Sequence, residues 1–247
     1  MEKIIRELSG HSGSQIYLME DERGNFVRKI NNVDRNAERL KALESLGYSV
    51  PSILKYTNQT LDMQYIHGLD MKNYLIHNNT KALVDWIVVT LDNFSEMVFY
   101  KNYHMTYQQK LAWLDSNTDF PFTKDELIGR LPKELPQTIY HGDLTLENIL
   151  HTEDGFYMID AVTIDYDSYI FDIAKMRQDL ECKWFLRNST VRLDTKLQNI
   201  QESLKHYYPE AFDDNLLILM LLRVYVHTKE GDFEREFILR EINRLWK

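Results

Sequence analysis

The sequence predicts an α+β protein in two lobes: a small antiparallel β lobe with one helix over residues 1–66, and a larger, mainly helical lobe over 67–247. Three observations point there. Short segments rich in β-branched and aromatic residues, separated by turn signals, fill the first 66 residues. Among them one stretch, 34-DRNAERLKALESLG-47, switches to helical spacing. After Gly68 helical spacing takes over, interrupted by a β hairpin near 138–160.

The strands of the first lobe read as 15-QIYLME-20, 25-NFVRKI-30, 52-SILKY-56 and 61-LDMQYI-66, with turns at Asp21–Gly24 and Thr57–Thr60. In the helix between them Ala37, Leu40, Leu43 and Leu46 share a face, Asp34 suits the N-cap and Gly47 the stop. Stretches 70–78, 80–103 and 106–116 then read as helical, and Pro121, Pro132 and Pro136 mark a loop-rich passage. From about residue 170 the chain is helical again. Its apolar run 216-LLILMLL-222 is too short to cross a bilayer and reads as a buried helix.

Composition narrows the function. A net charge of -9 argues against nucleic acid, because phosphate-binding surfaces are basic. The single cysteine, Cys182, permits no disulfide framework within the chain and no Cys/His zinc spacing. The start, MEKIIRELSG, lacks the apolar core of a signal peptide, so a reducing cytoplasm is the expected location.

The stretch 140-YHGDLTLENILHTEDGFYMID-160 sets Asp143, Asn148 and Asp160 among apolar residues. An unpaired buried carboxylate is costly, so water, a partner or a metal ion is expected nearby. A three-residue turn of Glu153, Asp154 and Gly155 would set Asn148 opposite Asp160 on one face, Cβ atoms roughly 5 Å apart. A two-residue turn at Asp154-Gly155 shifts the register by one and separates them. In the first register an amide oxygen and a carboxylate converge, the donors that hold Mg²⁺ together with substrate phosphates. Asp143, on the preceding loop, is then placed to accept a hydroxyl proton.

The run His141-Gly142-Asp143-Leu144-Thr145-Leu146-Glu147-Asn148, followed by Ile159-Asp160, resembles the catalytic loop and metal aspartate of the aminoglycoside phosphotransferase and choline kinase-like family, relatives of the protein kinases. The resemblance runs in order over about residues 8–176. It implies a protein kinase-like fold, with Asp143 as catalytic base and Asn148 and Asp160 holding Mg²⁺ on ATP. It also implies a phosphate-covering loop in 9-SGHSGSQIY-17, where Gly10 and Gly13 permit close backbone approach and Ser12 and Ser14 add donors. Lys29 resembles the strand lysine that contacts the α and β phosphates, with Arg28 its off-register rival. Glu38 resembles the helix glutamate that pairs with that lysine, with Glu44 its rival. Backbone groups from Gln64 to Ile66 would face adenine at the hinge 62-DMQYIHG-68.

Downstream, Asp172 matches a helix-start aspartate of structural role, expected to bond the catalytic loop's backbone. Asp167 stands where the family has an aspartate between Gly and Pro, both absent here, and Ala161-Val162-Thr163 replaces the frequent aromatic after the metal aspartate. The resemblance thus implies ATP-dependent phosphorylation of a hydroxyl on a small-molecule acceptor: an amino sugar, a sugar, a choline- or ethanolamine-like alcohol, or a cell-surface glycan precursor. The alternative is an inactive nucleotide-binding scaffold. A protein kinase is disfavoured, since neither D-F-G nor A-P-E occurs.

Overall fold

The computed structural model describes residues 2–8, 14–96, 99–117 and 119–247. The chain divides into two compact units, one of the residues through His77 with His141–Ile164, the other of Asn78–Tyr140 with Asp165–Lys247.

The first unit opens with β1 (Lys3–Leu8), β2 (Gln15–Asp21), β3 (Gly24–Ile30), α1 (Asp34–Ser45), β4 (Ile53–Tyr56) and β5 (Thr60–Gln64). The strands form one antiparallel sheet in the order β1-β2-β3-β5-β4. Alternation in β3 sends neighbouring cations to opposite faces. Arg28 meets its cross-strand partner Asp62 through two hydrogen bonds of 2.6 and 2.7 Å, and Lys29 turns to the other face, 3% exposed. In α1 the buried residues are Asn36, Ala37, Leu40 and Leu43. Three of these are the apolar face expected; the fourth is polar.

After β6 (Leu69–Asp70) and α2 (Met71–His77) the chain enters the second unit with α3 (Lys81–Phe94), β7 (Phe99–Asn102), α4 (His104–Lys110), α5 (Lys124–Arg130) and β8 (Glu134–Gln137). Two sequence readings fail here. The helix expected over 80–103 stops at Phe94, and the aromatic stretch Phe99–Asn102 pairs antiparallel with β8 instead. The passage read as loop contains α5, started by a capping box: Thr123 Oγ1 accepts the Glu126 N–H, and Glu126 accepts the Thr123 N–H.

Returning to the first unit, β9 (Ile149–Thr152) and β10 (Gly155–Met158) form a hairpin, and β6 adds to β9. A side chain at Gly68 would meet the His151 carbonyl at 2.7 Å, so glycine lets the chain close onto β9. The hairpin turn is Glu153-Asp154, since Thr152 faces Gly155. Neither expected register is therefore present, and Asn148 accepts the Ile159 N–H rather than facing Asp160.

The chain ends with α6 (Tyr169–Leu180), α7 (Asp194–Tyr207), α8 (Asp214–Tyr225) and α9 (Phe233–Leu245) in the second unit. All of α6 is buried, and the apolar run Leu216–Leu222 lies buried in α8, as expected. Arg177 in α6 bonds Glu181, Asp214 and the Ala211 and Asp213 carbonyls, so its buried guanidinium is well supplied with acceptors. Among the described residues no helix is long and apolar enough to cross a membrane.

Candidate active site

The loop before β9 is built on a buried histidine. His141 is 0% exposed, its Nδ1 accepts the Asp143 N–H at 3.2 Å, and its Nε2 lies 3.1 Å from the Ile159 carbonyl. Accepting at one nitrogen and donating from the other defines the neutral ring. Burial pushes its pKa down to about 4, against the opposing pull of Asp143. The His141 carbonyl in turn accepts the Val162 N–H at 3.0 Å. Gly142 stands at φ 92, and a Cβ there would lie 2.0 Å from the Val162 carbonyl oxygen. Only glycine satisfies both demands.

Asn148 closes the short 3-10 turn Leu146–Asn148. Its Nδ2 donates to the Asp143 carbonyl at 2.8 Å and to Asp143 Oδ2 at 3.2 Å. The amide oxygen faces away from these bonds and takes no donor among the described residues.

Asp160 lies past the end of β10, at φ 55, where the strand has broken off. Its Oδ1 accepts Lys29 Nζ at 2.8 Å and Asn36 Nδ2 at 3.1 Å. Its Oδ2 takes no donor among the described residues, and its side chain is 41% exposed. Surrounding protein pushes its pKa up, Asp143 adds to the rise, and Lys29 and Asn36 oppose it.

Lys29, Asp143, Asn148 and Asp160 therefore fall within one compact unit, linked through Lys29–Asp160 and Asn148–Asp143 bonds. Arg28 is committed to Asp62 and Glu2 and does not compete. Glu38 is not brought to Lys29: it is exposed on α1, two residues and about 200° around the helix from Asn36. Asn36 is the α1 side chain at the site, and sequence reading passed over it. A signal was present, because Asn36 precedes Leu40 by four and Leu43 by seven, on the apolar stripe.

Gly10, Ser12 and Gly13 lie outside the described residues. Ser14 is buried and donates to the Asn31 carbonyl at 3.0 Å. The Gln64 N–H is taken by the Ser52 carbonyl, and Ile66 is buried. In the second unit Asp172 is buried in the first turn of α6, whose N-cap is Ser168. Asp165 pairs with Lys110, and Asp167 with Lys101 at 2.6 Å. Asp167 also accepts from Tyr103, at the start of α4, and from Gln137 in β8.

A small antiparallel sheet lobe, a helical lobe, and a hairpin flanked by Asp143, Asn148 and Asp160 define a protein kinase-like phosphotransferase. The chain belongs to the phosphotransferase enzyme family APH, whose model matches residues 4–199. No curated protein matches its sequence. Among solved structures it is similar to a provisionally assigned fructosamine-3-kinase from Haemophilus somnus 129PT, with TM-score 0.64 and 15% identity over 100% of this chain and 92% of that one. It is also similar to a thermostable mutant of aminoglycoside phosphotransferase APH(4)-Ia in ternary complex with ADP and hygromycin B, with TM-score 0.62 and 12% identity over 97% of this chain and 92% of the other. A third likeness is to LicA in complex with AMP, with TM-score 0.56 and 16% identity over 99% and 92% of the two chains. At such identities the likeness is one of fold; the family match makes the chain a small-molecule phosphotransferase.

Proposed function

We propose that this protein transfers the γ-phosphoryl group of ATP to a hydroxyl of a sugar or amino alcohol, with Asp143 as the base and Mg²⁺ as the cofactor. The observation that carries the reading is the set of bonds that leaves two hard oxygens open. Asn148 spends its donors on Asp143 and keeps its oxygen, and Asp160 spends Oδ1 on Lys29 and Asn36 and keeps Oδ2. An amide and a carboxylate oxygen are the donor set Mg²⁺ accepts beside phosphates and water, so these residues fit the ion. Asp160 and Asn148 would hold it, and bound there it would neutralise charge developing on the β and γ phosphates.

The chain's own groups do the rest. Lys29, nearly buried, would exchange part of its pairing with Asp160 for the α and β phosphates, where a desolvated ammonium acts strongly. Asp143 would align the acceptor hydroxyl and take its proton, steadied by Asn148. His141 would hold the loop still without changing charge, since it stays neutral at working pH. ADP and AMP in the complexes of the similar structures support a nucleotide donor.

The acceptor follows from charge. Asp165 and Asp167, two carboxylates of the second unit, are each paired with a lysine. They offer no net negative charge, so a neutral or singly charged acceptor suits this chain better than a polycation. The test is ADP release from Mg-ATP with pooled acceptors: simple sugars and glycated amines, choline and ethanolamine, nucleosides, and aminoglycosides. Turnover with the first two groups, lost in Asp143→Asn, is expected. Turnover that survives Asp143→Asn would refute the assignment of the base, and turnover with aminoglycosides alone would refute the charge argument.

A further inference from the structure

We infer that Asn36, on α1, is the positioning residue that sets the metal-binding aspartate. This rests on the reading of Asp160 as a ligand for Mg²⁺. Asn36 is 4% exposed, and its Nδ2 makes two bonds, 3.1 Å to Asp160 Oδ1 and 2.8 Å to the Ala161 carbonyl. An amide nitrogen has two hydrogens, and both are used. The preceding residue adds a third tie, since the Arg35 carbonyl accepts the Thr163 N–H at 3.0 Å. The first turn of α1 therefore grips Asp160, Ala161 and Thr163 together.

The chemistry explains the residue type. Asp160 stands at φ 55, a conformation that non-glycine residues seldom hold without support. Its neighbour Ala161 presents a buried carbonyl, and Asp160 itself presents a carboxylate oxygen. Both groups are acceptors, so a carboxylate on α1 would repel them, whereas an amide donates to both. Asn36 also fixes which oxygen of Asp160 is spent. With Oδ1 held by Asn36 and Lys29, Oδ2 is the atom left for the cation. Asn36 touches neither nucleotide nor acceptor in this role; it acts through Asp160.

The experiment measures equilibrium binding of ATP across a Mg²⁺ series, without acceptor, for wild type, Asn36→Ala and Asn36→Leu. Leucine fills the buried volume if alanine fails to fold, and thermal unfolding identifies folded variants. The inference expects ATP binding without Mg²⁺ to stay within about twofold, while the apparent Mg²⁺ affinity falls about tenfold or more, as for other residues that orient metal ligands. Equal losses with and without Mg²⁺, or none in a folded variant, would overturn it and leave Asn36 a packing residue. Wild type that binds ATP with no dependence on Mg²⁺ would instead defeat the reading of Asp160, and this inference with it.

Discussion

Asn148 turns its amide nitrogen toward Asp143, so in the proposed mechanism one side chain would steady the base and leave its oxygen for the ion. Replacing Asp143 by Asn would remove the proposed proton acceptor at nearly constant shape. Turnover should fall about 10²–10⁴-fold, with ATP binding retained, when both are measured on the same preparation. Gly142→Ala should be worse for the fold than for any single contact. A left-handed backbone and a Cβ 2.0 Å from the Val162 carbonyl combine strain with a backbone clash. A loss of roughly 3 kcal/mol or more in urea unfolding is expected; a loss under about 1 kcal/mol would show that the loop relaxes freely. At this scale Asp143, Asn148 and Asp160 were legible because their spacing is local, within 21 residues of one hairpin. Asn36 was not, because it reaches Asp160 across 124 positions. Its polar side chain on an apolar stripe marked it as unusual without naming its partner.

At the scale of elements, the edge strand β1, exposed over nearly its whole length, was not read, and Leu46, expected on the core face of α1, is exposed past the helix end. In contrast, β2 to β5 and the face Ala37, Leu40 and Leu43 of α1 follow the periodicities of the sequence. The hairpin register does not, because Glu153-Asp154 and Asp154-Gly155 are both acceptable turns and only pairing decides between them. The capping box before α5 was readable as Thr123 and Glu126, but three nearby prolines obscured it. Thr123→Ala should cost about 1 kcal/mol, seen as a lower unfolding midpoint with turnover intact.

The loop built on His141 carries a pH signature. Its pKa is held near 4 in the fold against 6.5 for an ordinary histidine. Between those values the unfolded chain binds a proton that the folded one refuses, so this group's stabilisation is complete above pH 6.5 and lost as pH falls toward 4. The whole effect is about 3 kcal/mol, at close to 1.4 kcal/mol per unit. Urea unfolding of wild type and His141→Gln from neutral to acid pH isolates it. The difference between the two should shrink on acidification, and a constant difference would remove the buried neutral imidazole from the explanation.

For the whole molecule, the family match over residues 4–199 and the fold agree on phosphotransfer. The proposed preference for a neutral or singly charged acceptor rests on tertiary charge pairing, which sequence reading could not supply. Asp165 and Asp167 pair with Lys110 and Lys101, which lie 55 and 66 positions away in the chain. Lys101→Ala would leave the Asp167 charge uncompensated, though still bonded to Tyr103 and Gln137. On the proposed charge argument acceptor preference should shift toward amines, read as a rise in kcat/KM for cationic over neutral acceptors. The central claim, that Asp143 takes the acceptor's proton beside a Mg-ATP held by Lys29, Asn148 and Asp160, is tested most directly by single-turnover transfer. With γ-labelled ATP bound to saturation, wild type should move label to the acceptor found in the pooled screen. Asp143→Asn should bind the same ATP and transfer it at least 10²-fold more slowly. Equal transfer rates in the two proteins would contradict the claim.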